Sequence, residues 1–155
     1  MFQIASITKS FKEKAVLKGV SFSIEEGDKI ALLGNNGAGK STLFNIIAGQ
    51  LQADSGTIKT SLDFQREIGM MPQGDLLIED LTLAELVELK SRMNQLKQAD
   101  INGLLEMVEL RGSKEQMVGS LSGGQKRRLS LLLTILNHPR LIFLDEPTTG
   151  MDLEA

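Results

Sequence analysis

The chain has 155 residues, 41% hydrophobic and 24% charged, with a formal net charge of −3 and no cysteine. That suffices for one domain with a real core, excludes disulfides and cysteine-liganded metals, and supplies no global positive field for nucleic acid. No apolar run approaches the roughly twenty residues of a membrane span, and Met1-Phe2-Gln3-Ile4 has neither the basic start nor the apolar stretch of a signal peptide.

In chain order, Phe2 to Thr8 and Val20 to Ile24 alternate apolar and polar residues, which predicts half-buried strands. Glu25 to Asp28 reads as a turn. Ile30 to Leu33 is wholly apolar and predicts a strand covered on both faces, as in a parallel sheet. Ser41 to Gln50 is helix-like. Ser55-Gly56-Thr57 marks a turn before a short strand around Ile58, and a further strand lies near Ile68 to Met71, stopped by Pro72. The middle third is helical: Thr82 and Glu85 have capping-box spacing at the start of a helix reaching about Gln98. Asp100 can cap a second, amphipathic helix with Ile101, Leu104, Leu105 and Val108 on one face. Residues 74 to 120 thus read as a helical insert between two parts of an α/β core, 1–73 and 121–155. From Ser122 a third helix is apolar around most of its surface, which predicts burial, and Asn137-His138-Pro139 ends it. Leu141 to Leu144 fits a central parallel strand.

The local chemistry concentrates at three places. Gly34-Asn35-Asn36-Gly37-Ala38-Gly39-Lys40-Ser41, between an apolar run and a helix, is a complete G-x-x-x-x-G-K-[ST] phosphate-binding loop. Its glycines let the backbone N–H groups curl around phosphate oxygens at a helix N-terminus. Lys40 supplies a mobile positive charge and Ser41 a hydroxyl for Mg²⁺. Asp145 and Glu146 close the last apolar run, the usual ligand position of an open α/β sheet. Asp145 can hold Mg²⁺ directly or through water, and Glu146 can polarise a water for attack on a γ-phosphate. Leu121-Ser122-Gly123-Gly124-Gln125 opens the long helix, with Ser122 as its cap and two glycines leaving N–H groups bare, a second anion site suited to a nucleotide held by another copy. Lys126-Arg127-Arg128 is most simply a solvated helix turn.

Taken in order, the phosphate loop, Leu-Ser-Gly-Gly-Gln, Leu-Ile-Phe-Leu-Asp-Glu-Pro and Thr-Thr-Gly-Met-Asp resemble the motif set of ATP-binding cassette (ABC) ATPases over essentially the whole chain. The resemblance implies an α/β fold: a P-loop NTPase core of the ABC-ATPase type with an N-terminal antiparallel β subdomain and a helical subdomain insert, incomplete at its C-terminus. It implies ATP and Mg²⁺ as ligands, with Gly34, Asn35, Asn36, Gly37, Ala38, Gly39, Lys40, Ser41 and Thr42 on the phosphates and metal. Gln73 would link Mg²⁺ and attacking water to the helical insert. Ser122, Gly123, Gly124 and Gln125 would meet a partner's ATP, Asp145 would bind Mg²⁺, Glu146 would be the general base, and Asp152 would form a dimer-crossing loop. Phe11 stands where the family stacks an aromatic on adenine, though it reads equally as a core residue.

The implied partners are a second ABC ATPase domain, in a homo- or heterodimer, and a membrane-spanning permease subunit, placing the chain in the cytoplasm on the inner face of the cell membrane. The wording around the signature is similar to cassettes of export systems, and no nucleic-acid partner is expected. The alternatives are a soluble ABC ATPase acting on the ribosome or nucleic acid, and a catalytically impaired fragment. The family's switch histidine and a strand that lies beside the Asp145 strand fall beyond Ala155. His138 precedes that strand and reads as a loop residue without a catalytic role. The expectation is a sheet with a gap beside the phosphate-loop strand, and slow hydrolysis by the 155 residues alone.

Overall fold

The computed structural model describes residues 1–74, 77–96 and 100–147, and the chain divides into two compact units, Met1–Asp63 and Phe64 onward.

The first unit is a three-stranded antiparallel sheet and one helix. β1 (Phe2–Phe11) pairs with β2 (Lys14–Ile24) on one side and β3 (Ser55–Thr60) on the other, in the order β2-β1-β3. Phe2, Ile4 and Ile7 are all buried, although Ile4 and Ile7 are an odd number apart. A bulge resolves the conflict: the register slips between Ile4 and Ile7, where Ser6 takes φ +52° and its N–H donates to Ser21 Oγ at 2.8 Å. The extra residue returns the alternation to the core face.

Both strands of this hairpin run further than the alternation predicts. They meet at Lys12-Glu13, with Phe11 paired to Lys14 and Lys12 at φ +54°. The predicted turn at Ser55-Gly56-Thr57 is instead the first half of β3, since Gly56, at φ +96°, lies against the Ala5 and Ser6 carbonyls within the same irregularity. Asp54 fastens the sheet edge, accepting from Lys9 Nζ at 2.9 Å and from the Ser10 amide at 2.6 Å. Those two bonds hold its carboxyl below the ordinary carboxylate range. Helix α1 (Lys40–Ile47) buries Leu43, Phe44, Ile46 and Ile47.

The strand expected at Ile30 to Leu33 is not formed. Residues 28–35 carry no regular structure, and Ile30, Leu32 and Leu33 are exposed, Leu33 by 89%. A strand is made by its neighbours' hydrogen bonds, and no strand among the described residues pairs with this segment.

In the second unit β4 (Ile68–Met71) and β5 (Leu141–Leu144) pair in parallel, Ile68 opposite Leu141 and Met71 opposite Leu144. β5 is therefore bonded on one side only among the described strands. Ile142 and Leu144 are exposed, in place of the burial expected of a central strand. Helix α4 (Gly123–Ile135) lies close over β4: a Cβ on Gly69 would meet the Thr134 carbonyl oxygen at 2.7 Å.

Helices α2 (Leu83–Met93) and α3 (Ile101–Met107) form the expected helical stretch. Thr82 and Glu85 complete the capping box, and Asp100 Oδ1 accepts from the Gly103 amide at 3.1 Å. Leu83, Leu86, Val87, Leu105, Leu129 and Leu132 share one core. α4 is less buried than its composition predicts: only Arg127, Leu129 and Leu132 are fully inside, and its remaining leucines and Ile135 are half-buried. No helix among the described residues is long and apolar enough to cross a membrane.

Candidate functional site

The phosphate loop sits in the first unit. Gly37 and Gly39 take φ of +81° and +98°, and a Cβ on Gly39 would meet Leu17 Cδ2 and Val16 Cγ1 at 2.9 Å, so only glycine fits there. Gly39 is the N-cap of α1 and offers no side chain to the orphan amides of that eight-residue helix. Residues 34–38 are exposed. Lys40 Nζ lies on the loop itself, donating to the Gly34 carbonyl at 2.6 Å and the Asn35 carbonyl at 3.1 Å. Uncapped amides, positive-φ glycines and a lysine over them suit an anion of several negative oxygens. Ser41 is exposed and Thr42 half-buried at the helix start. Phe11, at the hairpin end, is 48% exposed with Lys9 Nζ 5.8 Å from its ring centroid. Of its two readings, the core one is removed.

The carboxylate pair lies in the second unit. Parallel pairing brings the C-terminal ends of β4 and β5 together, with the Asp145 amide donating to the Met71 carbonyl at 2.9 Å. Gln73 and Glu146 follow, each two residues past the Met71–Leu144 pair, and Gln73 Nε2 donates to Glu146 Oε2 at 2.9 Å. Asp145 is half-buried beside them. Glu146 has φ +48°, a left-handed conformation that costs an ordinary residue roughly 1–2 kcal/mol. Such strain persists only where the surroundings over-determine the backbone.

What over-determines it is Arg127, the residue the sequence reading missed. The expected solvated basic turn is corrected here. Arg127 is 2% exposed, Lys126 Nζ is bonded to Glu79 at 2.7 Å, and Arg128 Nη1 to Glu109 at 2.7 Å. The Arg127 guanidinium donates to the carbonyls of Pro72 (2.8 Å), Gln73 (3.4 Å), Asp145 (2.7 Å), Glu146 (2.6 Å) and Pro147 (3.2 Å). These five backbone acceptors satisfy the guanidinium's N–H groups, the condition under which a buried cation is tolerated. The signal was available. Three consecutive basic residues cannot all share one water-facing side of a helix, and Arg127 falls at i with Ser130 and Thr134 at i+3 and i+7.

At the start of α4, Ser122 Oγ accepts from the Gln125 amide at 3.2 Å and Gln125 Oε1 accepts from the Ser122 amide at 2.9 Å. This capping box leaves Ser122 and Gly123 exposed and Gly124 half-buried. Ser41, Gln73 and Asp145 carry the hydroxyl, amide and carboxylate oxygens that Mg²⁺ takes. Asp152 lies outside the described residues, and His138 is an exposed loop residue at φ +52°.

The family model described as ABC transporter matches residues 17–149. Over 98% of its length the chain is 38% identical to Nod factor export ATP-binding protein I of Rhizobium sp. (strain N33), of which it covers 54%. It is also 38% identical, over 98% of its length and 54% of the relative's, to the "Uncharacterized ABC transporter ATP-binding protein YxlF" of Bacillus subtilis (strain 168). The dimeric structure of a post-hydrolysis state of the ATP-binding cassette MJ0796, bound to ADP and Pi, matches with a TM-score of 0.85 at 29% identity. That match covers 99% of this chain and 77% of the other. The chain spans about half the length of the curated relatives it matches.

Proposed function

The chain belongs to the ABC transporter family, with the fold of its ATP-binding domain, and from that premise we propose that it is the ATP-hydrolysing subunit of a transporter. The observation that carries the reading is the Gln73–Glu146 hydrogen bond at the ends of two parallel strands. It presents an oriented carboxylate where an open α/β sheet meets its ligand. Glu146 takes a proton from water as its oxygen attacks the γ-phosphorus. The bond from that phosphorus to the β–γ bridging oxygen breaks, and ADP and inorganic phosphate leave. Gln73 holds the carboxylate in place. Gly34 to Thr42 bind the triphosphate, with Lys40 turning from the Gly34 and Asn35 carbonyls to phosphate oxygens. Mg²⁺, held by Ser41, Asp145 and Gln73, would neutralise phosphate charge. Phe11 would stack on adenine.

Ser122, Gly123, Gly124 and Gln125 are exposed or half-buried at the N-terminus of a 13-residue helix. This supports a head-to-tail dimer, homo- or heteromeric, in which they complete the nucleotide site of a second cassette and Asp152 lies at the crossing. A groove of about 400 Å³ between α2, α4 and β4, lined by Met70, Leu86, Leu89 and Met93 among others, supports a permease segment bearing on the helical stretch. The place of action is then the cytoplasmic face of the membrane. Likeness to a Nod factor export protein favours export. A nucleic-acid role is disfavoured by the pairing of Lys126 and Arg128 with glutamates and by the burial of Arg127, which leave that cluster little accessible charge to offer phosphates. The test is ATP turnover by the whole protein with its membrane partner. The expected result is that Glu146→Gln abolishes turnover and retains ATP. Turnover of Glu146→Gln at the parental rate would refute the reading.

A further inference from the structure

Arg127 is the only charged side chain among the buried described residues, and five main-chain carbonyls accept from it. Those carbonyls belong to two segments far apart in sequence, Pro72-Gln73 and Asp145-Glu146-Pro147. Nη1 holds the first segment, and Nη2 with Nε holds the second. One rigid, planar group therefore sets the distance between the backbones of Gln73 and Glu146. Their side chains are the pair that meets at 2.9 Å. The same group grips the carbonyl of Glu146, the residue held at φ +48°.

Resting on the reading of Glu146 as general base, we propose that Arg127 is a positioning residue for ATP hydrolysis. It fixes the two strand ends so that Gln73 aims the Glu146 carboxylate, and it touches neither nucleotide nor water. The assignment requires a guanidinium. A lysine has three donors on one nitrogen and cannot span both segments in a fork. It would keep the charge while letting the two strand ends drift. Because the phosphate loop belongs to a different part of the chain, nucleotide binding should be spared. A residue acting through Gln73 also predicts that the two substitutions are not additive.

The experiment compares Arg127→Lys, Arg127→Met and Gln73→Ala in the whole protein. It measures kcat, KM for ATP, the Kd of a non-hydrolysable ATP analogue, and folding by circular dichroism. For folded Arg127→Lys the expected result is a kcat lower by about 100-fold with KM and analogue Kd within about threefold of the parent. Gln73→Ala, costly alone, should cost less than about twofold more in the Arg127→Lys background.

Three results overturn the assignment: a kcat for folded Arg127→Lys within about twofold of the parent, a parallel loss of kcat and analogue binding with fully additive Gln73→Ala, or an Arg127→Lys that does not fold at all. Arg127→Met, the harsher change, is expected to repeat the pattern if it folds, and Arg127→Lys decides if it does not. Glu146→Gln separates the two levels. Parental turnover there removes the general-base reading itself. An inactive Glu146→Gln beside a fully active Arg127→Lys removes only the role of Arg127.

Discussion

Gln73 and Glu146, 73 residues apart, are joined by a single 2.9 Å hydrogen bond from Nε2 to Oε2. The bond exists because parallel pairing of β4 with β5 sets Met71 opposite Leu144, so the residues two places on emerge side by side. An amide donating to a carboxylate orients it without neutralising it, which is what a general base requires.

Removing the carboxylate should separate binding from chemistry. Glu146→Gln is expected to lower kcat by about 10²–10⁴-fold while ATP affinity stays close to that of the parent. Single-turnover kinetics with equilibrium nucleotide binding check both halves.

The phosphate loop makes the opposite prediction. Lys40→Ala should weaken ATP binding by about 10-fold or more, since a charge-assisted contact to phosphate is worth roughly 1.5–3 kcal/mol. Gly39→Ala should also weaken it, because its Cβ would strike Leu17 and Val16 at 2.9 Å and its φ of +98° is strained for alanine. Isothermal titration calorimetry of each variant is the measurement.

The core joining α2, α3 and α4 should be sensitive to lost volume. Leu129 is fully buried among Leu83, Val87, Leu105 and Leu132, so Leu129→Ala should cost about 2–5 kcal/mol. Half-exposed Leu133, on the same helix, should cost less. Urea unfolding of both variants gives the comparison.

Acid should weaken two contacts. Asp54 is held below its ordinary pKa by Lys9 and then Ser10, and Glu85 by the Thr82 amide and then its hydroxyl. A carboxyl whose folded pKa is depressed adds stability that is present above the unfolded value, about 4, and lost as pH falls through the folded value. Asp54→Asn should therefore reduce stability near neutral pH, and the difference from the parent should vanish as pH falls through the lowered folded value. Both groups are exposed, so the effect should shrink with added salt. Denaturation midpoints across pH at two ionic strengths test this.

How much could be read in advance differs from segment to segment. The Thr82–Glu85 capping box, the Ser122 and Asp100 caps, the phosphate-loop glycines and the β4 strand stopped by Pro72 lie where the residue order put them. The caps depend on contacts within about four residues, and such contacts are encoded by neighbours in the chain.

The misses share the opposite cause. Ile30 to Leu33 has the composition of a buried strand and is not one, because pairing is a property of the neighbouring strand. The Ser6 bulge, which sets Ile4 and Ile7 on one face, follows from register against two other strands. Arg127 looked like a solvated charge and became a buried fork, since five carbonyls 18 to 55 residues away accept from it. Caps, turns and the chemistry of short motifs are decided by neighbours in the chain. Strand partners, bulge placement and the burial of a cation are decided by segments that meet only when the chain closes on itself, where backbone groups far apart in sequence must find one another or go unbonded.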